Sequence, residues 1–261
     1  LWQIVLIPLF YFIKTSAENY LKIILIFQIF LIFFSEILIF RILLKFFKVK
    51  IALAFVLFFT LFVLFNSVNG METTLMIFLI SVLFTKIISL NIFCSHNRFN
   101  EFKIGILLGL LILSRLDLIF FAFSLLVFIF LNGKDYKESL SKVVNISSGF
   151  LILFIPYLLF NYINFGNIIP ISGYLKSSFS DEGLMNKISE VLRYRETYFA
   201  LVSIIFLTWF IYKIRELKQS ENYVYYLFLA IFSFSNFLLL MYLIFFLNWV
   251  IFYWYFIPFS L

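Results

Sequence analysis

The stretch LKIILIFQIFLIFFSEILIFRILLK, Leu21 to Lys45, has six polar side chains in 25 residues, and Lys22, Arg41 and Lys45 mark its ends. About 20 apolar residues at 1.5 Å each cross a hydrocarbon core about 30 Å thick, so this stretch predicts a membrane-spanning helix. Glu36 lies roughly 13 Å from Lys45 along that helix. That places it near mid-membrane, where it is expected to face other helices and make a packing hydrogen bond. Similar runs recur along the chain, and 64% of its 261 residues are hydrophobic, 13% are charged and the mean hydropathy is +1.10. Those values lie well outside the soluble range. The fold class is all-α, a polytopic transmembrane helical bundle. Reading apolar runs against polar breaks predicts eight spans, near 20–44, 51–66, 73–91, 103–115, 116–132, 144–163, 197–213 and 223–246.

The pattern fits one transmembrane domain over 1–261, with no room for a separate soluble domain. Residues 1–14 are too short to cross and contain Pro8, so they fit an interfacial or re-entrant helix or the remnant of a span. Leu1 is not an initiator Met, the sequence opens with no charged n-region or cleavage site, and "WYFIPFSL" stops within an apolar stretch. The chain is therefore expected to be a fragment lacking a first span, a first outer loop and its C-terminal end.

A net charge of +7 in a soluble protein would suggest nucleic acid. Here the basic residues sit in short loops between apolar runs, which points to membrane lipids and orientation, with no nucleic-acid partner. Arg41, Lys45, Lys48, Lys50, Lys86, Arg98, Lys103, Lys134, Lys137, Lys142, Lys213, Arg215 and Lys218 fall on one side, thirteen of the 20 basic residues. That side is predicted cytoplasmic. The outer, extracytoplasmic face then receives the patch NSVNGMETTLM (Asn66 to Met76), the turn LSRLDL (Leu113 to Leu118) and a loop over 164–196.

These features are expected to surround one cavity, lined by Glu72, Arg115, Asp117, Tyr174, Lys176, Arg193 and Arg195. A charge at the depth of Arg115 costs up to about 2.5–3.5 kcal/mol unless it is paired or faces water. The loop NYINFGNIIPISGYLKSS pairs turn-forming Gly166, Pro170 and Gly173 with Tyr162, Tyr174 and Lys176, a chemistry that suits an anionic headgroup. Plainer readings stand beside these. Glu72 can stabilise a helix N-terminus through the dipole, by about 0.3–1 kcal/mol. Arg115 and Asp117 can form a local ion pair that makes insertion tolerable. Lys176, Arg193 and Arg195 can be a solvated face touching lipid phosphates. Cys94 has no partner for an internal disulfide, and with the single His96 it makes no zinc ligand set, so CSHNR reads as a loop. The sequon at Asn145 falls on the predicted cytoplasmic side, away from glycosylation. Trp249, Tyr253, Trp254 and Tyr255 fit an outer interfacial belt.

The order of these motifs resembles the polytopic GT-C glycosyltransferases that use polyprenyl-phosphate sugars, in the branch of the terminal arabinofuranosyltransferases and the Rgt-type lipopolysaccharide glycosyltransferases. NGMET (Asn69 to Thr73) resembles that branch's SGLET, and LSRLD (Leu113 to Asp117) resembles LTRPD. NFGNIIPISGYLKSS (Asn164 to Ser178) resembles YYGxLLPNTYYAK, WYFIP (Trp254 to Pro258) its late aromatic-Pro segment, and LWQIVLIPLF the run after TSP in its first outer loop. Leu116 stands where the family has Pro, and Ile171-Ser172 where it has Asn-Thr.

The resemblance implies a GT-C-like membrane glycosyltransferase, inverting, that moves a sugar from a polyprenyl-phosphate donor to an acceptor hydroxyl on a glycan or lipid-linked acceptor of the cell envelope. It implies no cofactor and leaves a metal requirement open. Its catalytic base is an Asp in the loop ahead of TSPLW, hence upstream of Leu1. Lys176 with Arg193 or Arg195 is implied to neutralise the leaving phosphate, Arg115 and Asp117 to shape the cavity, and Tyr174 to hydrogen-bond donor or acceptor. Two other classes remain: a lipid or solute transporter, and a non-catalytic degenerate homologue.

Overall fold

A computed structural model describes residues 2–12, 16–67, 72–93, 95–133, 135–168, 184–194, 196–220 and 222–246. Among these there is no strand. The helices are α1 (Trp2–Phe12), α2 (Ala17–Leu43), α3 (Val49–Ser67), α4 (Thr73–Ser89), α5 (Arg98–Ser114), a 3-10 turn (Leu116–Leu118), α6 (Ile119–Asn132), α7 (Tyr136–Phe165), α8 (Leu184–Arg193), α9 (Glu196–Leu217) and α10 (Tyr223–Phe245).

A helix lies in each of the eight predicted intervals, yet among the described residues three, rather than eight, are long and apolar enough to cross a membrane: Glu18–Leu43, Tyr136–Phe165 and Tyr223–Phe245. The physical reason is length and end polarity. The 17 residues of α4 reach about 26 Å and the 14 of α6 about 21 Å, short of a core about 30 Å thick. α5 opens on Arg98, Glu101 and Lys103, and α9 closes on Lys213, Arg215 and Glu216. Large apolar side chains nevertheless face outward, with Ile29, Phe30, Phe33 and Phe34 on α2 and Leu151, Ile152, Ile155 and Leu159 on α7 all exposed. Continuous exposed apolar faces of this size suit lipid better than water, which agrees with the three long helices in pointing to a membrane protein.

The chain divides into two compact units. In the first, residues 1–116 and 133–153, α4 is central. Its Met76, Leu83 and Ile87 are fully buried, and it packs against both α2 and α5. The buried face of α2 runs Gln28, Leu31, Ile32, Ser35, a 3.6-residue stripe carrying two polar groups. The Ser35 hydroxyl is satisfied by the Leu31 carbonyl at 2.7 Å. Glu36, expected to hydrogen-bond within the bundle, instead has a buried Oε1 with no partner among the described residues.

α5 meets α7 backbone to backbone. A Cβ built on Gly105 falls 2.0 Å from the Ile146 carbonyl oxygen and 2.9 Å from the Gly149 Cα. Gly105 and Gly109 form the small-xxx-small spacing that lets helices approach closely where apolar burial alone gives no drive to associate.

In the second unit, residues 117–132 and 154–261, α10 is central and packs against α6, α9 and α8. Aromatic rings fill much of this core. Phe121 lies 5.2 Å from Phe232, and Phe128 sits 6.2 Å from both Phe210 and Phe234, as ring centroids. The Tyr223 hydroxyl donates to the Asn132 Oδ1, closing the end of the α6–α10 pair.

Candidate functional site

In the first unit, α4 and α5 form a hairpin joined by residues 90–97, so the start of α4 and the end of α5 share one end of it. Glu72 and Arg115 occupy that end. Glu72 is the N-cap of α4, half-buried, and its carboxylate makes no capping hydrogen bond. Beside it Thr73 and Thr74 are buried, and the Thr74 hydroxyl has no partner among the described residues. Arg115 caps α5 in extended backbone, φ −147° and ψ 120°, and its N–H donates to the Leu111 carbonyl at 3.2 Å. This residue ends the helix without Gly or Pro. Its side chain is only 8% exposed. A guanidinium held that far from water needs polar partners inside the fold.

In the second unit, Asp117 is half-buried in the 3-10 turn that leads into α6. One turn on, Phe120 packs with Tyr194 against a cluster of Val191, Ala200, Leu239, Leu240 and Leu243. Thr197 ties α8 to α9, its hydroxyl donating to the Val191 carbonyl at 2.6 Å. Arg193, in the last turn of α8, therefore lies at the same end of this unit as Asp117, and it is exposed. Lys187 on the same helix is only 8% exposed, four residues before Val191 and so on the packed face. Sequence reasoning counted Lys187 as a loop charge. Its i, i+4 spacing to an apolar residue was the available signal.

Tyr174, Lys176 and Arg195 lie outside the described residues, as do Asn69, Gly70 and Met71 of NGMET, Cys94 and the aromatic group at 249–255. The expected joint cavity falls partly on these positions and partly across the two units.

A polar network that the sequence reading left as loop lies at the other end of the α4–α5 hairpin. Asn97 is the N-cap of α5, its Oδ1 accepting from the Phe99 and Asn100 N–H groups at 3.1 and 3.2 Å. Polarity placed the start of this helix at 103, but the cap places it at Arg98. Glu101, 0% exposed, accepts from Asn97 N–H at 3.1 Å, bonds His96 Nδ1 at 2.7 Å, and through its other oxygen accepts from Asn145 Nδ2 at 2.7 Å. Both oxygens of the buried carboxylate are thus occupied. Asn145, the sequon residue, lies within α7, since that helix begins at Tyr136 and not near 144. Lys142 on α7 is 2% exposed and pairs with Glu138 at 2.9 Å. Among the described residues no group of three His, Cys, Asp or Glu is placed to hold a metal ion. Comparison with known protein families, with characterised proteins and with solved structures yields no match.

Proposed function

We propose that this chain belongs to a multi-pass membrane glycosyltransferase that moves a sugar from a polyprenyl-phosphate donor to an acceptor hydroxyl on the outer face. The observation that carries the reading is Arg115, a nearly buried cation at the break between two apolar helices, in the LSRLD stretch that resembles LTRPD. A cation held at such depth marks a functional site more often than a surface charge does. In this reading the eight apolar helices are the spans, the shorter ones crossing where tilt or local thinning of the bilayer accommodates them. The side rich in Lys and Arg is cytoplasmic.

Lys176, with Arg193 or Arg195, neutralises the leaving phosphate, and Tyr174 hydrogen-bonds donor or acceptor. Arg115 and Asp117 shape the cavity, and Glu72 lines its wall or starts α4. Removal of the acceptor proton falls to the carboxylate that the resemblance puts ahead of Leu1. The test is sugar transfer from a radiolabelled polyprenyl-phosphate sugar in vesicles carrying the full-length protein. Lys176→Ala is expected to lower both turnover and donor affinity. Unchanged values for both would remove the phosphate assignment. An upstream outer loop with no acidic residue would remove the enzyme reading itself.

One observation favours transport as the second reading: the buried Glu36 Oε1, without a partner among the described residues, on a helix long enough to span. Intramembrane carboxylates serve proton and cation pathways in transporters. Glu36→Gln abolishing ion-coupled uptake while leaving sugar transfer intact would select that reading.

A further inference from the structure

Where α4 ends and α5 begins, a groove of about 310 Å³ opens between the two helices. Its walls include Leu90, Ile106 and Leu107 over buried Ile104, and its polar lining is Lys86, Asn100 and Lys103. Both lysines are exposed, and neither lies within ion-pair distance of a carboxylate among the described residues. The carboxylate nearest Lys103 in sequence, Glu101, is 0% exposed and bonded through both oxygens. Lys103 lies with its ammonium 4.0 Å from the centroid of the Phe99 ring, which holds the charge along the surface without neutralising it. Two uncompensated ammonium groups and one amide thus rim an otherwise aliphatic groove on a helix pair of apolar character.

We propose that this groove binds one anionic phospholipid, its phosphate between Lys86 and Lys103 with Asn100 donating to a phosphate oxygen, and its acyl chain along Leu90, Ile106 and Leu107. The charge requires an anion and the wall requires an apolar tail, a combination that a free inorganic anion lacks. Basic pockets between helices near a membrane surface hold acidic headgroups by this chemistry. The inference is independent of the glycosyltransferase reading, because it concerns the opposite end of the α4–α5 hairpin from Glu72 and Arg115.

The test is native mass spectrometry of the full chain released from neutral detergent micelles titrated with phosphatidylglycerol, with phosphatidylcholine as the zwitterionic control. One saturable phosphatidylglycerol per chain is expected, displaced by neither phosphatidylcholine nor inorganic phosphate. Each lysine replaced weakens it about fivefold, so Lys86→Gln with Lys103→Gln weakens it about 25-fold. Leu107→Trp fills the groove while keeping both charges, and it also lowers the affinity. The pair Lys45→Gln and Lys48→Gln, which removes the same charge elsewhere, leaves binding unchanged. Equal loss in both double variants, retention of binding in Leu107→Trp, or displacement by inorganic phosphate would each overturn the proposal.

Discussion

Replacing Gly105 by Ala adds one methyl group where the structure has no room for it. The new carbon would sit 2.0 Å from the Ile146 carbonyl oxygen, 2.9 Å from the Ile146 carbonyl carbon and 2.9 Å from the Gly149 Cα. All three are backbone atoms, so no side chain can rotate away and the helices themselves have to part. Reaching even 3.0 Å, the lower edge of real contacts, takes at least 1.0 Å of separation. One turn away the Asn145–Glu101 hydrogen bond, 2.7 Å long, bridges the same two helices. The same displacement stretches it to about 3.7 Å, beyond hydrogen-bond range.

Overpacking costs about 1–3 kcal/mol, loss of a bond to a buried carboxylate about 1.5–3 kcal/mol, and the better helix propensity of Ala returns about 1 kcal/mol. The net expectation is a loss of about 1.5–5 kcal/mol. Gly109→Ala provides the internal control. Its added carbon meets Leu153 side-chain atoms at 3.2 and 3.3 Å and the Phe150 carbonyl oxygen at 3.3 Å, contacts that a few tenths of an ångström relieve. With the same propensity gain of about 1 kcal/mol it should be close to neutral. Both variants of the full chain are titrated from mild detergent into SDS, with helicity followed by circular dichroism. If Gly105→Ala unfolds no earlier than Gly109→Ala, the close α5–α7 crossing is wrong.

Other consequences can be measured in the same titration. Glu101→Ala leaves His96, the Asn97 N–H and the Asn145 amide without their acceptor, for an expected loss of about 3 kcal/mol, and Glu101→Gln recovers only part of it because its NH₂ faces another donor. Asn97→Ala removes the N-cap of α5 and should cost about 1 kcal/mol. In the Glu101→Ala background its effect should shrink, since both residues hold the same helix start. Tyr223→Phe removes the hydroxyl that donates to Asn132 and should cost about 1 kcal/mol. No change in Tyr223→Phe would mean that this bond adds nothing to the end of the α6–α10 pair.

Apolar run length made the helices legible, because a segment such as Leu21 to Lys45 has no other way to satisfy its backbone in lipid. Helix ends were harder to read. The start of α5 is set by the side chain of Asn97 accepting two N–H groups, and polarity alone misplaced it by five residues, from 98 to 103. The first two turns of α7 were missed for a related reason, since Lys137 and Lys142 read as loop charges while the structure buries Lys142 and pairs it with Glu138. Of the candidate site, the break at Arg115 was legible from two charges between apolar runs. The Glu101 network was not, because its third member, Asn145, is 44 residues away in sequence. A buried carboxylate becomes intelligible only when its distant partner is in view. Lys187 was missed because the 164–196 interval reads as loop, whereas α8 within it turns that lysine onto a packed face.

That separation of 44 residues also has a meaning in time. A ribosome working at about 5–20 residues per second completes Glu101 roughly 2–9 s before it makes Asn145. Through that interval Glu101 lacks its Asn145 partner and the Gly105 face lacks the backbone that closes on it, since Gly149 is later still. A nascent chain halted after α6 makes neither contact. The α5–α7 crossing therefore closes only once residues 145–149 of α7 have been made.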